Sequence, residues 1–390
     1  MSEILNRALD ALHRRADEIV PRLRRWVERN SYSQDVDGVN AMGALLLEDF
    51  ALAGLAASRR PGKDTGDHLA WRTPAWDGAS PDQRVLLVGH HDTVFPPGTF
   101  EAFEVRGDHL HGPGVLDMKG GLAVVWAALA ALADTGALET LPVAMISVAD
   151  EEIGSPDSRP FLEELAAGCR WALVFEGGRT GDEIITRRKG TGALEVTARG
   201  VAAHAGNCHA EGKNAIRALA RFIDEVENLT DYDRGVTVNV GLVRGGEARN
   251  TVPAEASCGI DLRFITADSG RDVCAAADRL ARKIAAETGC ALHITGGIRR
   301  LPLSRSAASA ALCERYGACA RAAGLGASEA GLIGGGSDAN TVSAIGVAAI
   351  DGLGPRGSGF HTHKEHIETA TLMMRAGALA RFLAGLDATS

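Results

Sequence analysis

Short apolar segments that lead into acidic or imidazole side chains are the most constraining feature of this sequence. Residues 141–148 form such a segment and run into Asp150, Glu151 and Glu152. Runs of this kind are typical of parallel strands buried on both faces, and ligands of open α/β sheets bind beyond the carboxyl ends of the strands. Adjacent carboxylates at that position repel one another unless a cation or shared protons compensate them. The segment therefore predicts a metal site at the edge of a parallel sheet.

Other ligand-type side chains stand at equivalent places along the chain. Three of them, His90, Glu176 and His361, come after further apolar runs. The fourth, Asp117, stands at the start of the helix predicted over 122–132. Because the carboxyl ends of parallel strands meet at one edge, we expect these side chains to share one site with Glu152. Two imidazoles and three carboxylates are too many for one tetrahedral zinc ion with an open position. They suit two ions about 3.5–4 Å apart that share a carboxylate and a water molecule.

Two further acids have predicted roles around these ligands. Glu151 is adjacent to Glu152 and is not needed as a ligand, so we expect it to act as the general base for the bridging water. Asp92 lies two residues after His90, on the same face of a strand. It is therefore expected to hold the imidazole in place.

Composition narrows the class of protein. The chain has 390 residues, which favours two domains, and a net charge of −9, which argues against nucleic-acid binding. No run is long and apolar enough for a membrane span, and the first residues do not resemble a signal peptide. Seven cysteines are scattered without a CxxC pair, as in a reducing compartment. We therefore expect a cytoplasmic enzyme without a nucleic-acid or membrane partner.

The order of predicted elements indicates an α/β fold. Apolar runs alternate with helical segments up to about residue 189 and again from about residue 300, which predicts a mainly parallel sheet flanked by helices. Residues 190–299 instead follow a β-α-β-β-α-β order, typical of a ferredoxin-like α+β layer. We therefore predict a catalytic domain, 1–189 and 300–390, that is interrupted by an inserted lid or dimerisation domain, 190–299.

Three segments, 89–94, 112–121 and 150–155, resemble the signatures of one zinc metallopeptidase and acylase family. This zinc exopeptidase-like family includes glutamate carboxypeptidase, acetylornithine deacetylase, succinyl-diaminopimelate desuccinylase and aminoacylase. The resemblance continues in order through segments 175–177, 203–206, 249–253, 334–338 and 360–362. It covers nearly the whole chain and is nearest to the glutamate carboxypeptidase-like members.

The resemblance implies a metal centre with two Zn²⁺ ions per subunit. Co²⁺ or Mn²⁺ are alternative ions for the same centre. By this resemblance, His90 and Glu176 would hold one ion, and Glu152 and His361 the other. Asp117 would bridge the two ions.

The resemblance also implies roles outside the metal ligands. Asp92 would orient His90, and Glu151 would be general base and then general acid. His204, in the inserted domain, would reach the active site of the partner subunit and stabilise the oxyanion, so a homodimer through that domain is expected.

Residues that bind substrate are likewise implied by the resemblance. Arg263 and Asn250 match substrate-binding positions, with Arg263 a bidentate partner for a substrate carboxylate. The loop at Gly336 would present backbone donors to the same group. A small-molecule or short-peptide substrate with a free carboxylate is therefore expected.

The predicted function is a metal-dependent hydrolase that cleaves the amide of an N-acyl amino acid or small peptide and releases a C-terminal amino acid. In this prediction Glu151 activates a zinc-bound water. One alternative is an N-acyl-amino-acid deacylase of the aminoacylase or acetylornithine deacetylase type. Another is a non-catalytic relative that binds an amino-acid conjugate. The acyl group, the amino acid released and the pathway are not predicted.

A serine hydrolase is a rival interpretation of the last part of the chain. Ser337 lies in a Gly-Gly-Ser-Asp-Ala segment that approximates a nucleophile elbow, and Asp351 and His361 follow in the appropriate order. This interpretation leaves Glu151 and Glu152 unexplained. Six other histidines are predicted to lie at the surface or beside the metal ligands without binding metal themselves: His91, His109, His111, His209, His363 and His366.

Overall fold

The computed structural model describes residues 2–386. The α-helices are α1 (Ser2–Arg14), α2 (Ala16–Val27), α3 (Val36–Asp49), α4 (Lys119–Ala133), α5 (Arg159–Ala166), α6 (Ala215–Glu227), α7 (Ala267–Thr288), α8 (Ala307–Ala322), α9 (Asp338–Ala344) and α10 (Thr369–Ala384). The strands are β1 (Ala56–Arg60), β2 (His68–Arg72), β3 (Val85–His90), β4 (Glu104–Arg106), β5 (His109–His111), β6 (Val143–Val148), β7 (Trp171–Val174), β8 (Gly190–Arg199), β9 (Ala203–His204), β10 (Thr237–Gly245), β11 (Thr251–Val252), β12 (Glu255–Phe264), β13 (Ala291–Arg300), β14 (Ala348–Ile350), β15 (Gly357–Ser358) and β16 (His366–Glu368).

These elements form two compact units. The first unit contains Met1–Arg187, Ser304–Gly331 and Ser337–Ser390, and the second contains Arg188–Leu303 and Leu332–Gly336. The short return of the chain at Leu332–Gly336 is held in the second unit by hydrogen bonds from its first residues. Lys189 donates its N–H to the carbonyl of Ile333 at 2.8 Å, and Arg188 Nη1 donates to the carbonyl of Gly335 at 3.1 Å.

The first unit is built on a six-stranded sheet. Its strand order is β1-β2-β6-β3-β7-β14, in which β6, β3, β7 and β14 are parallel and β1 and β2 form an antiparallel edge. β3 and β6 are buried along their whole length, as their unbroken apolar sequences predict. The prediction of a mainly parallel α/β fold is confirmed.

Helix α4 forms the centre of the core beside this sheet. Its residues from Lys119 to Leu132 are all buried, and the helix packs against α1, α2 and α10. A helix that is apolar all round has no face suited to solvent, so it belongs in the interior of a unit. This burial fixes the start of α4, where the glycine-rich segment with Asp117 enters the helix.

Two glycines let the start of α4 approach its neighbours closely. A Cβ atom at Gly121 would lie 2.0 Å from the carbonyl oxygen of Phe175, and one at Gly120 would lie 2.2 Å from the carbonyl oxygen of Val115. Phe175 directly follows β7 and precedes Glu176. The absence of side chains at these two positions therefore brings the Asp117 segment next to the end of β7.

A small antiparallel sheet completes the first unit. Its order is β15-β16-β5-β4, and it pairs the strand before the Asp117 segment with the strand after the His361 loop. In that pairing His366 lies opposite His111, and Glu368 lies opposite His109. Both loops that carry ligand-type side chains are therefore anchored on one sheet.

The second unit is a four-stranded antiparallel sheet, in the order β10-β12-β8-β13, with α6 and α7 packed on it. The element order is the β-α-β-β-α-β order that the sequence indicates, with the short ribbon of β9 and β11 added. Its own core forms around Phe222, Phe264 and Ile284. β10 is an edge strand of this sheet.

Among residues 2–386, no helix combines the length and the apolar character that a bilayer span requires.

The close approach at Gly121 generates a stability prediction. Replacing Gly121 by Ala forces a methyl group against a backbone carbonyl, so we expect the free energy of unfolding to fall by at least about 2 kcal/mol. The matched control is Gly377→Ala in α10, where the added Cβ meets its nearest neighbours at 3.8 Å. That variant should gain about 0.5–1 kcal/mol, because Ala favours the helix. Urea denaturation measures both changes, and equal effects of the two substitutions would contradict the packing described.

Candidate metal centre

The ends of three parallel strands and two loops supply the side chains of the candidate centre. His90 is the last residue of β3, and Glu176 follows β7. Glu152 lies in a short 3-10 helix, Glu151–Ile153, just beyond β6. Asp117 precedes α4, and His361 lies in the loop between β15 and β16. All five side chains belong to the first unit, at the carboxyl edge of its parallel strands.

Asp117 is the residue that joins the two imidazoles. His90 Nε2 lies 3.3 Å from Asp117 Oδ1, and His361 Nε2 lies 3.1 Å from Asp117 Oδ2. His90 Nε2 also lies 3.7 Å from Glu176 Oε1, and His361 Nε2 lies 3.2 Å from Glu152 Oε2. The five side chains thus form two groups that share one carboxylate.

Burial of these charges shifts their ionisation strongly. Burial and the nearby charge of Asp117 raise the pKa of Glu152 to about 8, and burial raises the pKa of Glu176 well above its usual range. Hydrogen bonds to Asp117 and Glu152 raise the pKa of His361 to about 11. Burial opposes the charged form of His90, yet the charges of the surrounding carboxylates raise its pKa well above the usual value. The protein alone therefore retains protons in this pocket to offset the carboxylates.

The donor set fits divalent metal ions. One combination of ligand-type atoms, from His90, Asp117 and Glu152, lies within 4.8 Å of one another, as does a second from His90, Glu151 and Glu176. Imidazole and carboxylate donors in this number suit zinc and related ions. Bound cations would take the place of the retained protons and relieve the repulsion among the buried carboxylates.

Asp92 links β3, the N-terminal segment and the 3-10 helix. Its buried carboxylate accepts hydrogen bonds from Ser33 Oγ at 2.6 Å and from the backbone N–H groups of Glu151 and Glu152, both at 3.2 Å. His90 Nδ1 lies 3.3 Å from Asp92 Oδ1 and 3.1 Å from the Asp92 carbonyl oxygen. Such contacts fix the ring orientation and leave Nε2 facing Asp117 and Glu176. The contribution of Ser33 has no signal in the sequence.

The acidic triplet after β6 divides into separate roles. Asp150 Oδ2 accepts the backbone N–H groups of Asp157 and Ser158, at 2.8 and 3.1 Å. Asp150 therefore stabilises the turn beyond the strand and is not part of the two groups described above. Glu151 is half-buried, and its carboxylate belongs to the group with His90 and Glu176. Asp150 therefore stabilises a turn, and only Glu151 and Glu152 of the predicted cation site belong to the candidate metal centre.

Glu365 has a role that the sequence analysis did not assign. It is fully buried, and its carboxylate accepts three backbone N–H groups: those of Gly114 at 3.0 Å, Leu116 at 2.8 Å and Asp117 at 2.9 Å. These bonds connect the segment after His361 to the segment that carries Asp117. The only signal in the sequence is an acid four residues after His361.

Lys119 is a second residue without an assigned role. It is fully buried, and Nζ donates to the carbonyl oxygens of Trp26 at 3.0 Å and Arg29 at 2.9 Å. Burial lowers the pKa of this amine to about 7. The side chain ties the start of α4 to the end of α2, and its sequence signal is a single cation at the head of an apolar helix.

The two histidines next to ligand positions have separate partners. His91 is buried, its Nδ1 lies 2.9 Å from Ser147 Oγ, and burial lowers its pKa to about 3. His363 is exposed, and its ring stacks on Phe100 with the centroids 5.2 Å apart. His91 thus packs in the interior and His363 lies at the surface, and neither belongs to the two groups that share Asp117.

His204 and Asn250 lie together in the second unit. Thr251 of β11 pairs with His204 of β9, and the N–H of Ala205 donates to the Asn250 carbonyl at 2.8 Å. Both residues are exposed. His204 Nδ1 accepts the backbone N–H groups of Gly206 at 3.1 Å and Asn207 at 3.0 Å, so Nε2 carries the proton of the neutral ring.

Arg263 and Gly336 also belong to the second unit. Arg263 Nε and Nη2 both donate to the carboxylate of Asp261, at 2.8 and 2.9 Å. Nη1 of Arg263 takes no part in this pair. Gly336 ends the segment Leu332–Gly336, immediately before Ser337 at the start of α9.

Ser337 is a helix-capping residue. It is buried, its Oγ accepts the N–H of Ala339 at 3.2 Å, and it donates to Asp351 Oδ2 at 2.5 Å. His361 Nε2 meanwhile faces the carboxylates of Asp117 and Glu152. The hydroxyl and the imidazole that a serine hydrolase would pair are thus engaged elsewhere, which argues against that interpretation.

The contacts of Glu365 generate a prediction about metal affinity. In Glu365→Gln one carboxylate oxygen becomes an N–H₂ group, so at least one of the three loop N–H groups loses its acceptor and the segment with Asp117 is less well held. We expect the dissociation constant for zinc to rise roughly 10–100-fold. Competition with a fluorescent chelator measures it, and Glu18→Gln, at an exposed helix position, is the matched control. Unchanged zinc affinity in a folded Glu365→Gln protein would refute the positioning role.

Known proteins resemble this chain over most of its length. The model of Peptidase family M20/M25/M40 matches residues 86–385. Carboxypeptidase G2 of Pseudomonas sp. (strain RS-16) is 27% identical over 379 residues, which cover 95% of this chain and 89% of that protein. A probable carboxypeptidase of Aspergillus terreus is 32% identical over 234 residues, but the match spans only 52% of its length.

Solved structures share the fold. Aminopeptidase PepT of Bacillus cereus superposes with a TM-score of 0.77 at 20% identity, covering 95% of this chain and 99% of that one. The YXEP protein of Bacillus subtilis, described as a dinuclear metal binding peptidase, superposes with a TM-score of 0.68 at 16% identity, covering 95% and 98%. The family model spans most of the sequence, including all five candidate ligands. The chain therefore belongs to Peptidase family M20/M25/M40 and is a metallopeptidase-type hydrolase.

Proposed function

We propose that this hydrolase cleaves the amide bond between an acyl or peptidyl group and a C-terminal amino acid that has a free carboxylate. The observation that carries the proposal is the shared carboxylate of Asp117 between the imidazoles of His90 and His361, with Glu151 beside them. The likeness to Carboxypeptidase G2 over nearly the whole chain supports this choice within the family.

In this proposal two zinc ions occupy the centre. His90 and Glu176 would hold one, Glu152 and His361 the other, and Asp117 would bridge them. The pairing follows the short distances within each group and the position of Asp117 between the groups. When bound, such ions would lower the pKa of a water molecule and polarise the scissile carbonyl. Cobalt or manganese would suit the same donors.

Glu151 is proposed as the general base and then the general acid. Its carboxylate lies within 4.8 Å of ligand atoms of both His90 and Glu176, so it can reach a water molecule in the pocket. It accepts a proton from the attacking water and returns that proton to the leaving amine, which makes the amine a better leaving group. Its backbone N–H is held by Asp92, which stabilises the segment that presents it.

Substitution of the base tests this mechanism. Glu151→Gln keeps the size of the side chain but cannot accept the proton, so we expect turnover to fall at least about 100-fold with bound metal unchanged. Turnover is measured by release of a C-terminal amino acid from a dipeptide or N-acyl amino acid, and metal by elemental analysis. The control is Glu164→Gln, whose exposed carboxylate pairs with Arg60. Turnover retained in Glu151→Gln would refute the assignment.

Residues of the second unit are proposed to recognise the substrate. Arg263 and Asn250 would bind its carboxylate and neighbouring polar groups, and the backbone at Gly336 would donate to the same carboxylate. The guanidinium of Arg263 supports this role, because its geometry matches a carboxylate and Nη1 is not used in the pair with Asp261. His204 would donate from Nε2 to the developing oxyanion.

We also propose a cytoplasmic homodimer formed through the second unit. The edge strand β10 supports this proposal, since Leu242 and Val243 on it are 63% and 61% exposed. An edge strand with exposed apolar side chains is suited to pairing with another chain. In such a dimer His204 of one subunit would serve the centre of its partner.

Complementation tests the dimer and the role of His204 together. His204→Ala and Glu151→Gln proteins should each be inactive, while each still binds metal. After random exchange of subunits we expect about a quarter of wild-type turnover, because half of the dimers are mixed and each has one intact site. Size-exclusion chromatography with light scattering follows the exchange. If mixed dimers recover no activity, His204 does not act at the centre of the partner subunit. If the His204→Ala protein is active, His204 has no catalytic role.

A further inference from the structure

Three histidines form a cluster on one face of the small antiparallel sheet. His109 and His111 are two residues apart on β5, so their side chains point to the same face, and His366 lies opposite His111 on β16. The ring centroids of His366 lie 5.0 Å from those of His111 and 5.2 Å from those of His109. All three rings are half-buried. We call these three residues the histidine cluster.

A hydrogen bond defines the tautomer of one member of the histidine cluster, and a second member lies beside a carboxylate. His109 Nδ1 lies 2.7 Å from Asp108 Oδ1, and His366 Nδ1 lies 2.9 Å from the carbonyl oxygen of Lys364. The carbonyl oxygen of Lys364 can only accept, so Nδ1 of His366 donates and Nε2 of its neutral ring keeps its lone pair. A ring held through Nδ1 by a carboxylate or a carbonyl, with Nε2 open, is the usual state of an imidazole that binds a metal ion.

Neighbouring charged groups are already engaged. Glu104 on the adjacent strand accepts from Arg106 Nε at 2.7 Å, and Glu368 accepts from Arg356 Nη1 at 2.8 Å. Burial and the positive charge of Arg106 lower the pKa of His111, which keeps its ring neutral near pH 7. The imidazoles are therefore the available donors on this face.

We propose that the histidine cluster is an additional metal site that binds a divalent transition-metal ion of the zinc, copper or nickel class through three imidazole nitrogens and water. Three imidazoles with one open position form a tetrahedral zinc site, and imidazole also suits copper and nickel. Binding requires the rings of His109 and His111 to turn about χ2 until a nitrogen of each converges with Nε2 of His366, whose ring stays held through Nδ1; this torsion has a broad minimum. The site shares no residue with the candidate catalytic centre and does not depend on the proposed hydrolase activity.

The test compares zinc stoichiometry between variants. The full chain is dialysed to equilibrium at a series of free zinc concentrations, and bound zinc is measured by elemental analysis. His111→Gln should bind about one zinc ion per chain fewer than the wild type, since two imidazoles rarely retain an ion that needs three. His366→Gln is the second cluster variant. His293→Gln is the matched control, because His293 is an exposed histidine on strand β13.

The result expected is loss of the same zinc equivalent in both cluster variants and none in His293→Gln. Circular dichroism on the same samples establishes that the variants are folded. Identical zinc binding by the wild type and folded cluster variants would overturn the proposal. An equal loss in His293→Gln would do so too, because it would indicate binding to surface histidines in general. Since only the difference between proteins is measured, failure of the catalytic centre to bind zinc would leave the comparison intact.

Discussion

Repulsion among buried carboxylates is the constraint on which the first unit depends. Asp117, Glu152 and Glu176 share one pocket at the edge of the parallel sheet. Two like charges 4 Å apart repel each other by about 4 kcal/mol near a protein surface. The protein offsets this repulsion with two imidazoles, retained protons and, in the proposed function, two metal ions. Strands that are buried on both faces can hold their terminal residues in place against this electrostatic repulsion. The ends of the parallel strands are therefore suited to form the pocket.

Backbone hydrogen bonds to further acids hold the ligand-bearing segments in position. Asp92 accepts N–H groups from the 3-10 helix with Glu151, and Glu365 accepts N–H groups from the segment with Asp117. Lys119 ties the start of α4 to the end of α2. These side chains contact the ligand segments and not the reacting atoms, so they position the catalytic groups. Their burial makes the geometry of the centre a property of the core of the first unit.

Much of the fold and of the candidate centre follows from local patterns in the sequence. Unbroken apolar runs identify β3 and β6, and the residues that follow them, such as His90 and Glu152, are the ones the structure brings together. The contribution of Ser33 and the role of Glu365 could not be predicted, because their partners are a carboxylate and backbone groups far away in the sequence. The histidine cluster escaped prediction for the same reason, since pairing of β5 with β16 joins residues 109–111 to residue 366. Nor does any local pattern assign Leu332–Gly336 to the second unit.

The proposed function is hydrolysis, at a metal centre in the first unit, of an amide next to a free carboxylate. The most direct test removes metal with a chelator, restores zinc, and follows hydrolysis of matched dipeptides and N-acyl amino acids with free or amidated C-termini. We expect activity that chelation abolishes, that about two zinc ions per chain restore, and that amidation of the C-terminus suppresses. Activity that survives complete removal of metal would refute the proposed metal centre, and a folded, zinc-loaded protein that hydrolyses none of these substrates would refute the proposed function.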